Sequence, residues 1–134
     1  SVRSVASPIH ALNDLSIILI NSARLLDRFL RYVQVATAAD PASDHYPSTA
    51  GQWELGKVLL QELIDMGVDD PHQDDSGLVW ATIPGTTGKS HPTIALIAHL
   101  DTSPEAPGDG VKPQVVEAYD GRDITLPSGA VMNH

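Results

Sequence analysis

Cysteine is absent from the 134 residues. That excludes disulfides and thiolate metal sites, and it leaves His, Asp and Glu as the side chains able to hold a metal. It also fits a reducing compartment, so a cytoplasmic protein is expected. Basic residues are few: 8 Lys and Arg stand against 17 Asp and Glu, for a formal net charge of -9. The cations are scattered and form no patch, so nucleic acid would be repelled and is not an expected partner. Long apolar runs are missing as well. The stretch "LSIILI" at 15–20 falls far short of the roughly 20 residues that span a bilayer. Asn13 and Asp14 interrupt the same region, and no small-residue cleavage site follows, so neither a signal peptide nor a membrane anchor is expected. No internal repeat is present.

Hydrophobic residues make up 42% of the chain, enough to expect a folded core. Residues 1–20 show no sustained period and read as an extension or tag without assigned function; 21–134 read as the folded portion. From Ser22, Leu25, Leu26, Phe29, Leu30, Tyr32 and Val33 recur at helical spacing, predicting a helix over about 22–36. The Pro-, Ser- and Asp-rich "TAADPASDHYPSTAGQ" reads as a loop. Ser48 or Thr49 can then cap a second helix. Its apolar face is Trp53, Leu55, Val58, Leu59, Leu63, Ile64 and Met66, and Gly67 stops it.

"DDPHQDDSG" reads as a solvated acidic turn, since the ligand alternation and closing glutamate of a calcium loop are missing. "LVWATI" and "TIALIAHL" have strand length and β-rich composition. The second lacks strict alternation, as expected of an inner strand covered on both faces. "PGTTGKS" between them resembles a phosphate loop, but Ile83 stands where the pattern needs glycine and no helix follows, so a hairpin-type turn is expected. "QVVEAY" and "DITL" are two further strand-like pieces.

The chemistry gathers at "IALIAHLDTSP", where an apolar run ends on His99 and Asp101. Residues two apart on a strand point to one side, so both groups are expected to emerge together at the strand's C-terminal end, where ligands collect in open α/β sheets. A neutral imidazole suits zinc, and a neighbouring carboxylate can hold the ring. His10, His45, His72, His91 and His134 lack paired spacing and are expected at the surface.

"RLLDRFLRYV", "YPSTAGQWELGKVLLQELIDMG", "IALIAHLDTSP" and "GVKPQVVEAYDGRDITL" together resemble the aminotripeptidase branch of the M20 family of zinc metallopeptidases, from about residue 22 onward. The resemblance implies an α/β fold: the N-terminal part of an M20-type catalytic domain, a mixed sheet flanked by helices, incomplete as given. It implies that His99 binds one of a pair of zinc ions in each full-length subunit, and that Asp101 orients that histidine and supports catalysis. It implies a small peptide substrate, a tripeptide losing its N-terminal residue. The family's inserted domain serves lid or dimer contacts, so a homodimer is an assembly the resemblance allows. The remaining ligands and the general base belong to sequence beyond residue 134, so these residues alone are expected to be inactive. A non-catalytic truncated module, or another peptidase or deacylase of the same family, are the alternatives.

Overall fold

The computed structural model describes residues 20–133. The extension expected over 1–20 therefore lies, Ile20 apart, outside the described residues, as do His10 and His134. Six elements follow in order: helices α1 (Ser22–Tyr32) and α2 (Ala50–Met66), then strands β1 (Asp69–Gln73), β2 (Val79–Thr82), β3 (Ile124–Thr125) and β4 (Val131–Met132).

The first helix starts where Asn21, in extended conformation, accepts the Arg24 backbone N–H on its side chain. It ends at Tyr32, short of the expected 36. Gln34 and Val35 bond three residues back, to Arg31 and Tyr32, which tightens and closes the helix. A turn and a bend follow over 33–35, before the chain reaches the isolated bridge at Ala38. No residue of α1 is buried, and Leu25, Leu26 and Phe29 of its expected apolar face stay exposed. Polar side chains join α1 to α2 instead. Glu62 receives Arg28 at 2.8 Å and Arg31 at 2.7 Å.

The second helix ends as the sequence predicts, with Gly67 at φ 68, a left-handed conformation that favours glycine. Its start is at the expected residue, Thr49, but the Thr49 hydroxyl makes no cap bond to the helix. Leu55 is the buried large apolar residue among the described residues. Gly56 lets the β1–β2 hairpin close on the helix, because a Cβ there would lie 2.2 Å from the Gln73 amide nitrogen.

The acidic segment expected as a turn is in part a strand: β1 pairs antiparallel with β2, Gln73 opposite Val79 and His72 opposite Trp80. The register slips between Asp69 and His72, around Pro71, which has no N–H to give a ladder. The turn proper is 74–77. There Asp74 Oδ1 accepts the Ser76 and Leu78 backbone N–H groups at 2.9 and 3.0 Å, and Asp74 Oδ2 accepts the Trp80 indole N–H at 2.9 Å.

The largest departure is 91–100, which forms no strand. Ile94, Leu96 and Ile97 are 84%, 95% and 94% exposed. A strand needs a neighbouring backbone to satisfy its N–H and C=O groups, and among the described residues none lies alongside. The hairpin expected across 84–90 is accordingly absent, since β2 pairs backward with β1. "QVVEAY" is turn and irregular chain, whereas "DITL" contains β3, paired with β4. The mixed α/β character holds. The sheets among the described residues are two antiparallel ribbons plus one isolated parallel bridge, Ala38 to Thr102. No helix among the described residues is long and apolar enough to cross a membrane.

Candidate functional site

His99 and Asp101 come together as expected, although no strand carries them. His99 Nδ1 lies 2.7 Å from the Asp101 carbonyl oxygen and 3.2 Å from Asp101 Oδ1. Both neighbours are acceptors, so Nδ1 carries the proton and donates. That fixes the tautomer whose Nε2 lone pair is free, the form in which an imidazole ligates a metal. The two side chains are 82% and 49% exposed, so Nε2 is open to whatever approaches. The pair is neither splayed nor sealed in hydrocarbon.

What holds the pair is a backbone clamp at the next residue. Thr102 N donates to Thr37 O at 3.2 Å, and Ala39 N donates to Thr102 O at 2.9 Å. The 37–40 segment is in turn tied to the start of α2. Thr49 Oγ1 donates to Ala38 O at 3.1 Å, and Ser48 Oγ accepts the Asp40 N–H at 3.1 Å. Gln52 Nε2 donates to Thr37 O at 3.3 Å and to Ser48 Oγ at 3.0 Å, while its Oε1 accepts the Ser48 N–H at 3.2 Å. The helix-cap hydroxyls of "PST" thus reach outward to tether a neighbouring segment. The preceding segment passes so close that a Cβ on Gly51 would lie 1.6 Å from Ala36 O.

Thr37, Gln52 and Thr102 are the residues the sequence reading passed over. Gln52 is a buried amide on α2, and buried amides are hydrogen-bonded; its burial is a tertiary property that the sequence did not signal. His45, His72 and His91 are exposed as expected. The His72 ring Nδ1 lies 2.9 Å from the Asp70 carbonyl oxygen.

The donor set fits one position of a zinc site. Among the described residues no group of three or more His, Cys, Asp or Glu side chains is arranged to hold a metal ion, so the His99–Asp101 pair stands by itself.

Two helices and small ribbons presenting a histidine–carboxylate pair make the described residues part of a mixed α/β protein. No family model matches the chain. Curated relatives do. Peptidase T of Geobacillus sp. (strain WCH70) is 51% identical over 102 residues, 76% of this chain and 25% of that protein. Peptidase T of Bacillus subtilis (strain 168) is 45% identical over 102 residues with the same two shares. Peptidase T of Halothermothrix orenii is 44% identical over 104 residues, 78% of this chain and 26% of the relative. The matched stretch is similar to part of peptidase T, and the chain spans about a quarter of the length of these relatives.

Proposed function

We propose that this chain is the N-terminal part of a zinc-dependent aminotripeptidase of the M20 type, which removes the N-terminal residue from tripeptides in the cytoplasm. The observation that carries the proposal is the His99–Asp101 geometry, with Nδ1 held at 3.2 Å from the carboxylate, inside a stretch that matches peptidase T. In this reading His99 Nε2 is a zinc ligand and Asp101 keeps it one, by holding the Nδ1 proton and raising the basicity of the ring. Bound zinc would supply Lewis acidity and a lowered water pKa at the scissile carbonyl. The other ligands and the general base would come from the remaining length that the relatives possess. The 134 residues alone would then not hydrolyse peptide.

Release of the N-terminal residue from tripeptides by the longer polypeptide, abolished by a chelator and restored by zinc, tests this. Chelator-insensitive hydrolysis would contradict it. Inactivity of the 134-residue chain under the same conditions is the second expected result.

A non-catalytic module is the alternative reading. The exposed apolar run Ile94, Leu96 and Ile97 favours it, because uncovered apolar surface with unpaired backbone is a place for association. Self-association or partner binding together with inactivity of every longer form would select it.

A further inference from the structure

Gln52 lies on α2, fifty positions before Thr102 in the chain, yet one backbone carbonyl separates them. Thr37 O accepts both the Gln52 amide, at 3.3 Å, and the Thr102 N–H, at 3.2 Å. The Gln52 end and the middle of this link are shielded from water, Thr37 being 3% exposed and Gln52 8%, while Thr102 at the other end is exposed. The Gln52 side chain makes three hydrogen bonds, both amide hydrogens donated and the oxygen accepting from Ser48. A buried amide bonded in this way has one low-energy orientation, because turning it over would set donor against donor and acceptor against acceptor. Thr37 O is therefore fixed in place, and with it the peptide that joins Asp101 to Thr102. That peptide carries the Asp101 carbonyl oxygen, the closer of the two acceptors for His99 Nδ1, at 2.7 Å.

We infer that Gln52 is a positioning residue for the His99–Asp101 pair. Through Thr37 and Thr102 it sets the direction of the Asp101 carbonyl, and so selects the His99 tautomer with the free Nε2. Ser48 anchors the other half of the same amide. The catalytic meaning of this relay rests on the function proposed above. Its structural content does not, since the tautomer is defined without metal or substrate.

The test is nitrogen-15 NMR of the imidazoles in this chain, at a pH about two units above the ordinary imidazole range so that the rings are neutral. Amide hydrogen exchange is followed alongside. The parent chain is expected to show His99 protonated at Nδ1. Gln52→Ala, and Gln52→Glu, which keeps the length but removes the donor, are expected to shift His99 toward the tautomer protonated at Nε2. Each should also speed Thr102 amide exchange by about tenfold, the scale of one lost hydrogen bond. Exchange at Leu59 and Leu63 in the body of α2 should be unchanged. Gln61→Ala, which removes an exposed bond to Asp65 on the same helix, should alter neither readout. Retention of the parent tautomer in either Gln52 variant overturns the inference. So does loss of Leu59 and Leu63 protection, which would make Gln52 a stability residue only. Loss of the tautomer preference in a polypeptide that proves to have no peptidase activity would uphold the relay and reject the proposed function alone.

Discussion

The Tyr32 hydroxyl donates to the Glu62 carboxylate at 2.5 Å and so joins the end of α1 to the middle of α2. Burial, followed by this bond, pushes the Tyr32 phenol up to about 12. Burial pushes the Glu62 carboxyl up, but the Tyr32 hydroxyl and the Arg31 guanidinium outweigh it and hold it below the usual carboxylate range. Because the folded phenol titrates above its unfolded value, its contribution is complete below pH ~10 and is lost as pH rises toward about 12. For Glu62 the sign is opposite: stability is present above its ordinary range and lost as pH falls through the depressed value.

Tyr32→Phe should therefore lower stability by about 1 kcal/mol, the scale of one partly exposed charge-assisted bond. It should also remove the alkaline limb of the stability profile. Urea titrations of both chains across the alkaline range check this. An unchanged alkaline limb in the variant would place its origin elsewhere.

The β1–β2 turn should respond to acid. The Trp80 indole N–H beside Asp74, helped by the Leu78 and Ser76 backbone N–H groups, holds the Asp74 carboxyl below its ordinary value. The turn's stability is then present above the ordinary aspartate range and falls as pH drops through the depressed value. Trp80 fluorescence should report the loss of its Asp74 contact at acid pH. Asp74→Ala should show the acid spectrum already at neutral pH and speed exchange of the Leu78 amide.

Two glycines separate close approach from backbone conformation. Gly51→Ala places a methyl group 1.6 Å from Ala36 O and should cost about 3 kcal/mol, at the upper end of overpacking. Gly67→Ala meets nothing within 4 Å and is strained only by its left-handed φ, so it should cost about 1 kcal/mol. Chemical denaturation ranks them. The reverse order would show that 34–37 does not press on the start of α2.

These elements were unequally legible in the sequence. The helices were readable because a 3.6-residue period and a terminal Gly67 are local properties. The extent of α1 was not, since the chain leaves the helix so that Thr37 and Ala39 can meet Thr102, far along the sequence. Strand β1 was hidden by its own composition: Asp69, Asp70 and Pro71 read as a turn, and its pairing depends on the Asp74 turn and on packing against α2. Conversely, 94–98 has every local mark of a strand and forms none, because a strand is defined by its neighbour. The contact between His99 and Asp101 was legible as a two-residue relation. The Gln52–Thr37–Thr102 link that fixes it is a tertiary fact, which "PST" and "GQ" signalled only as a pattern.

The exposed run itself should be tunable. Leu96 is 95% exposed, so Leu96→Lys should change stability by less than about 0.5 kcal/mol. It should also reduce self-association in sedimentation, since a charge interrupts an exposed apolar run. Marked destabilisation would show that this side chain is covered in solution.

The central claim is that His99 Nε2 is a zinc ligand held ready by Asp101. Anomalous diffraction at the zinc edge from the longer, zinc-loaded polypeptide tests it most directly. The account predicts a zinc ion about 2.0–2.1 Å from His99 Nε2, with Nδ1 still facing Asp101. Zinc bound elsewhere, with the His99 ring left free, would contradict it.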